Sequence, residues 1–248
     1  MDVFEDRERR MRIGILQCDD VMEELQSEFG NYPAMFEAAL GELAPEWTFV
    51  TYRAVDGELP DSVDACDGYI TTGSRYGVND GAQWIEKLES FLLAVATAGV
   101  KFVGVCFGHQ LLAKALGGQV EKSNRGWGVG MSFNQIGVRK NWMEPYQPSL
   151  DLVVSHQDQI TQLPEGAEVL ASSGFCPYYL LQYGSDLMTV QGHPEFSKAY
   201  SSALMDKRTD RIPAPRIREG KTSLSAPVDD RLMMQWIINF FAGGRLTR

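Results

Sequence analysis

The sequence predicts an α/β fold, a three-layer sandwich with a mostly parallel central sheet and an antiparallel extension. Three observations carry that expectation. Short β-branched and aromatic runs alternate with segments of helical apolar spacing through the first half of the chain. After Gln119 the texture changes to short apolar runs separated by glycine and proline. Between the two regions, Lys101 to Gly117 (KFVGVCFGHQLLAKALG) turns from a strand-like run directly into a helical one.

The elements follow in order. Residues 1–10 are a charged run read as a solvated extension, leaving 11–248 as a single domain without an internal linker. Arg12 to Gln17 is the first strand, and Cys18 to Tyr32 an acidic loop with a short helical piece. Pro33 to Leu43 has helical spacing and opens on a proline suited to a first turn. Trp47 to Tyr52 and Asp67 to Thr72 are the next strands. Asp80 is placed as the N-cap of a helix ending near Ala98, with Trp84, Leu88, Phe91, Leu92 and Val95 on its inner face. Beyond Gln119 the short strands are Leu152 to Val154, Glu168 to Ala171, Tyr178 to Tyr183 and Leu187 to Gln191. Ser197 to Arg208 reads as helix, and Ile212 to Val228, with Pro213, Pro215 and Pro227, as a long surface loop. Asp229 or Asp230 caps a last helix with an apolar face from Leu232 to Phe241, closed by Gly243-Gly244.

Composition narrows the function. Hydrophobic content of 44% with 23% charged residues fits a globular chain with a full core. A net charge of -10 with no basic patch argues against nucleic-acid or anionic-membrane binding. The four cysteines, Cys18, Cys66, Cys106 and Cys176, are far apart with no CxxC pair, so they read as reduced thiols of a cytoplasmic protein and not as a metal site. No secretory h-region and no apolar stretch near the ~20 residues of a membrane helix is present.

The chemistry centres on Gly104-Val105-Cys106-Phe107-Gly108. A glycine two residues either side of a nucleophile, at a strand-to-helix switch, is the nucleophile-elbow pattern. A thiol there sits at a helix N-terminus, which favours the thiolate. A buried core thiol is the plainer alternative, and the flanking glycines favour the nucleophile. The chain has three histidines to serve as base: His109, His156 and His193. His193 follows a strand in Gly192-His193-Pro194-Glu195, at the edge where open α/β sheets bind ligands. It is the candidate base and acid, with Glu195 orienting its ring. The N–H groups of Phe107 and Gly73 are candidate oxyanion donors, Gly73 having a turn role as its alternative.

GVCFGHQ with GHPE downstream, in a chain that opens βαβα, resembles the class I (triad) glutamine amidotransferase family over roughly residues 12 to 200. Ser155-His156-Gln157-Asp158 adds a match to the SHxD loop of GMP-synthetase-type glutaminase domains. The resemblance implies a flavodoxin-like sheet and a Cys106, His193, Glu195 triad with Gly73 and Phe107 as oxyanion donors. It further implies that Gln110, Ser155, Gln157 and Asp158 hold the amino-acid end of the substrate; for His156, structural hydrogen bonding and substrate contact stay open. It implies no cofactor and no metal. The loop Thr72-Gly73-Ser74-Arg75 departs from the family by lacking a proline, and Arg75 is placed to alter the pocket.

Three functions follow. The first is a glutaminase that converts glutamine to glutamate and ammonia through a γ-glutamyl thioester, with a possible ammonia acceptor in a separate synthetase subunit. The second is a γ-glutamyl peptidase acting on larger γ-glutamyl compounds, which the TGSxYGVND loop and FGHQ elbow also resemble. The third is a non-catalytic binding module of the same fold. The first is the leading expectation.

Overall fold

The structure, a computed structural model, describes residues 10–243. Of the expected N-terminal extension only Arg10 falls inside that range, and Gly244 lies outside it. Along the first half run β1 (Arg12–Leu16), α1 (Glu23–Phe29), α2 (Tyr32–Leu43), β2 (Thr48–Tyr52), β3 (Gly68–Thr71), α3 (Gln83–Ala98), β4 (Lys101–Val105) and α4 (Phe107–Ala115). The second half adds β5 (Gln119–Lys122), β6 (Gly128–Ile136), β7 (Ser149–His156), β8 (Asp158–Gln162), β9 (Ala167–Ser172), β10 (Leu180–Tyr183) and β11 (Leu187–Val190). Three helices close the chain: α5 (Lys198–Lys207), α6 (Ala214–Ser223) and α7 (Asp230–Phe241).

The main sheet has the order β2-β1-β3-β4-β11-β10-β9-β6-β7, and β5 pairs with β8 in a separate ribbon. The run from β2 to β11 is parallel. From β10 to β7 the pairing is antiparallel, which is the expected extension. Side-chain alternation builds a core on each face. Ile70, Val103, Met188 and Val190 pack with α2 and α7 on one side. Tyr69, Phe102 and Leu187 pack with α3 and α4 on the other.

One pairing positions everything that follows. β11 lies parallel to β4, with Thr189 opposite Gly104 and Val190 opposite Val105. The residues just past both strands, Cys106 and Gln191, therefore emerge side by side at one sheet edge.

Four local expectations are corrected. The segment expected as a loop from Ile212 to Val228 contains α6, whose start at Pro213 and Pro215 uses prolines where a first helical turn tolerates them. α6 buries only Ile217 and Gly220, so it has little apolar periodicity to betray it. The glycine-rich stretch after Gln119 contains β6: Gly130 takes φ +81, and a β-carbon on it would come within 2.4 Å of the Gly220 carbonyl oxygen of α6. Asp80 does not cap α3, whose N-cap is Ala82; its carboxylate accepts the Gly77 N–H instead, at 2.8 Å. Asp229 does occupy the N-cap position of α7, but its carboxylate accepts the Asp151 N–H of β7 at 2.7 Å and makes no capping hydrogen bond.

Candidate active site

β4 delivers Cys106 with backbone angles φ 50 and ψ -93, and it is the one non-glycine residue with positive φ among the described residues. The conformation is held from both sides: the Cys106 N–H donates to Val190 O at 2.9 Å, and its carbonyl accepts the Gln110 N–H at 3.1 Å. The flanking glycines are needed for close packing. A β-carbon on Gly104 would lie 2.8 Å from the Gly108 carbonyl, and one on Gly108 would lie 1.8 Å from Thr71 Oγ1. That same hydroxyl accepts the Val105 N–H at 3.1 Å. Strain at a single residue, enforced by its surroundings, is the usual mark of a functional position. The sulfur projects into a cavity at the start of α4, where the helix dipole favours negative charge.

His193 and Glu195 are buried beside it. His193 Nδ1 and Glu195 Oε1 are 2.7 Å apart. The backbone N–H of His193 donates to Val153 O of β7 at 2.8 Å, and its ring stacks on Phe196 with centroids 3.9 Å apart. The Cys106 sulfur is near enough for its charge to act on the imidazole. Burial alone lowers its pKa, but Glu195 and Cys106 together outweigh that effect and raise it to about 10. Gly73 lies against the same ring, since a β-carbon there would come 2.6 Å from His193 Cε1. Neither the Gly73 N–H nor the Phe107 N–H has a hydrogen-bond partner among the described residues.

The cavity above the sulfur has a volume of about 320 Å³. Its lining includes Gln110, Gln157 and Asp158, three of the four residues expected to hold substrate. Gln110 Nε2 donates to Asp158 O at 2.8 Å and to Gln191 Oε1 at 3.1 Å, and Gln191 Nε2 reaches the Cys106 sulfur at 3.5 Å. Burial raises the Asp158 carboxyl pKa, with nearby Lys122 opposing. Ser155 stands outside the lining, and its Oγ accepts a hydrogen bond from Arg208 Nη1 at 2.9 Å. Arg75 does line the cavity, with its Nε on the Asp19 carboxylate at 2.8 Å. His156 also lines it, but its Nδ1 faces Asp158 O at 3.1 Å and burial lowers its pKa to about 4, which makes it a neutral donor. His109 faces inward onto Thr189 Oγ1 at 2.8 Å and is fully buried.

The sequence reading missed Gln191, Phe196, Trp127, Arg208 and Arg211. Gln191 had a signal: it is a polar residue closing an otherwise apolar strand, one position before GHPE. The arginines had none, because they enter the cavity from the turn after α5.

A parallel sheet with a strained cysteine elbow beside a buried histidine–carboxylate pair defines the class, and the family model for class-I glutamine amidotransferases matches residues 35–207. The chain belongs to that family. It is 27% identical to gamma-glutamyl peptidase 3 of Arabidopsis thaliana, over 96% of this chain and 98% of that protein. Against the glutamine-hydrolysing GMP synthase subunit of Methanobrevibacter smithii the identity is 32%, over 39% of this chain and 50% of that protein. The solved structure of a glutamine amidotransferase from Thermotoga maritima superposes with a TM-score of 0.74 at 17% identity, over 94% of this chain and 99% of that one, and shows the shared fold.

Proposed function

We propose that this chain is a cysteine hydrolase of γ-glutamyl bonds that works through a thioester on Cys106. The observation that carries the reading is the strained Cys106 elbow next to a buried His193 whose Nδ1 meets Glu195 Oε1 at 2.7 Å. In this mechanism the Cys106 thiolate adds to the γ-carbonyl carbon. The Gly73 and Phe107 N–H groups receive the oxyanion. The C–N bond then breaks, and the His193 imidazolium gives its proton to the departing nitrogen. Water, deprotonated by His193, attacks the thioester and releases glutamate and the thiolate. Glu195 keeps the ring oriented and stabilises its charged form. Asp158 receives the substrate ammonium, and Lys122, Gln110 and Gln157 surround the rest of the amino-acid end.

The γ-glutamyl peptidase form of this reaction is favoured over the glutaminase form expected first. The relative named gamma-glutamyl peptidase 3 matches nearly the whole chain, and the match to the GMP synthase subunit covers 39% of it. The cavity lining also includes Arg208 and Arg211, cations that a departing ammonia would not need. A glutaminase handing ammonia to a separate synthetase is the second reading, supported by the resemblance to the GMP synthase subunit. A panel of free glutamine, γ-glutamyl amides and γ-glutamyl peptides, run on wild type and Cys106→Ala, separates them. Peptide turnover that is lost in the variant is expected; turnover of glutamine alone supports the second reading, and no turnover of any member contradicts both.

A further inference from the structure

We infer that Arg208 and Arg211 recognise a free carboxylate on the leaving portion of a γ-glutamyl substrate, so that the chain selects γ-glutamyl amino acids or peptides with an open C-terminus. The inference rests on the γ-glutamyl reading above and names the substrate class more narrowly.

Four cationic side chains line the cavity: Arg75, Lys122, Arg208 and Arg211. Two are already matched by negative charge. Arg75 is bound to the Asp19 carboxylate and to the Asp20 carbonyl. Lys122 lies in the field of Asp158, and Asp80 adds a second carboxylate at the same end: a β-carbon on Gly77 would sit 3.0 Å from Asp80 and 3.2 Å from Asp158. That end therefore offers both signs, as a zwitterionic glutamyl head requires. The other two cations have no close carboxylate among the described residues. The hydrogen-bond partner of Arg208 is the neutral Ser155 hydroxyl, and it has no carboxylate partner among the described residues. Among the described residues the ion-pair partner of Arg211 is its chain neighbour Asp210, at 3.7 Å, with both side chains more than half exposed.

Their positions are fixed by packing. The N–H groups of Arg211 and Ile212 donate to the Arg208 carbonyl, and Ile212 is buried against Val129, Met205 and Ile217. Arg216 of α6 holds the Trp127 carbonyl at 2.8 Å, tying the neighbouring wall to the same unit. Two guanidinium groups lining one cavity, Arg208 without a carboxylate partner among the described residues and Arg211 with only a long, exposed one, suit a planar carboxylate. The glutamyl head is provided for at the Asp158 end, which leaves the leaving portion as the source of that carboxylate.

The test compares γ-glutamylglycine with γ-glutamylglycinamide. Wild type should prefer the free acid, and Arg208→Gln and Arg211→Gln should each cut that preference on the order of tenfold, mainly through KM for the acid. Ser155→Ala, which frees Arg208, should erode the preference in the same direction, and Arg208→Lys should retain part of it. Equal turnover of both substrates by wild type overturns the inference and leaves the γ-glutamyl reading standing. A loss in the variants that falls equally on both substrates does the same, since it marks a structural role or a contact with the glutamyl head. Turnover of neither by wild type removes the parent reading and this inference together.

Discussion

Glu195 Oε1 lies 2.7 Å from His193 Nδ1, with both side chains buried. Removing only the charge of Glu195 is thus a clean perturbation. Glu195→Gln retains an acceptor for the ring N–H but no longer stabilises the imidazolium. We expect kcat to fall by roughly a hundredfold or more. The alkaline limb of the pH profile should also move down, because Glu195 helps raise the His193 pKa to about 10. An unchanged limb would count against an orienting carboxylate.

Gly108 and Thr71 interlock too closely for a methyl group between them, at 1.8 Å from the hydroxyl oxygen. Gly108→Ala should cost about 1–3 kcal/mol of stability and much of the activity. Adding Thr71→Ala makes room and should recover part of both, a coupling that denaturant titration of the single and double variants would reveal. Simple additivity would refute the contact.

Stability should vary with pH through three histidines. Burial lowers His109 to about 3 and His156 to about 4, from an ordinary 6.5. In the window below 6.5 the unfolded chain binds more protons, so their contribution is complete above it and declines as the pH falls toward those lower values. His193 is raised, so its contribution is complete below 6.5 and declines as the pH rises toward about 10. Urea denaturation should therefore show lower stability at about pH 5, and again at about pH 9, than near pH 6.5. Stability equal or higher at about pH 5 would contradict the buried neutral histidines.

The thiols should differ in reactivity. Burial pushes Cys176 up to about 12 and raises Cys18 still further, which keeps both protonated and slow. Cys106 faces the cavity, and His193 is the histidine whose pKa it helps raise. Brief iodoacetamide treatment and peptide mapping should find Cys106 labelled well ahead of the other two, and uniform labelling would argue against an activated thiolate.

Much of this was legible in the sequence where one local constraint dominates. Gly104 and Gly108 announce the elbow because only glycine fits those contacts. His193 and Glu195 are two residues apart just after an apolar strand, so their pairing needed little tertiary knowledge. What was hidden depends on contacts distant in sequence. α6 turns one small face to β6 and offers solvent the rest, so polar composition and three prolines looked like a loop. Gly130 read as one of the glycines separating short runs because its reason, the backbone of Gly220, lies far along the chain. Gln191 and Arg208 gain meaning only once β11 pairs with β4 and the turn after α5 comes over the cavity.

The central claim is a covalent one, and intact-protein mass spectrometry tests it most directly. Rapid acid quench during turnover of a γ-glutamyl substrate should show a γ-glutamyl adduct that maps to Cys106 and is absent from Cys106→Ala. Turnover that persists in Cys106→Ala, or an adduct on another residue, would contradict the account.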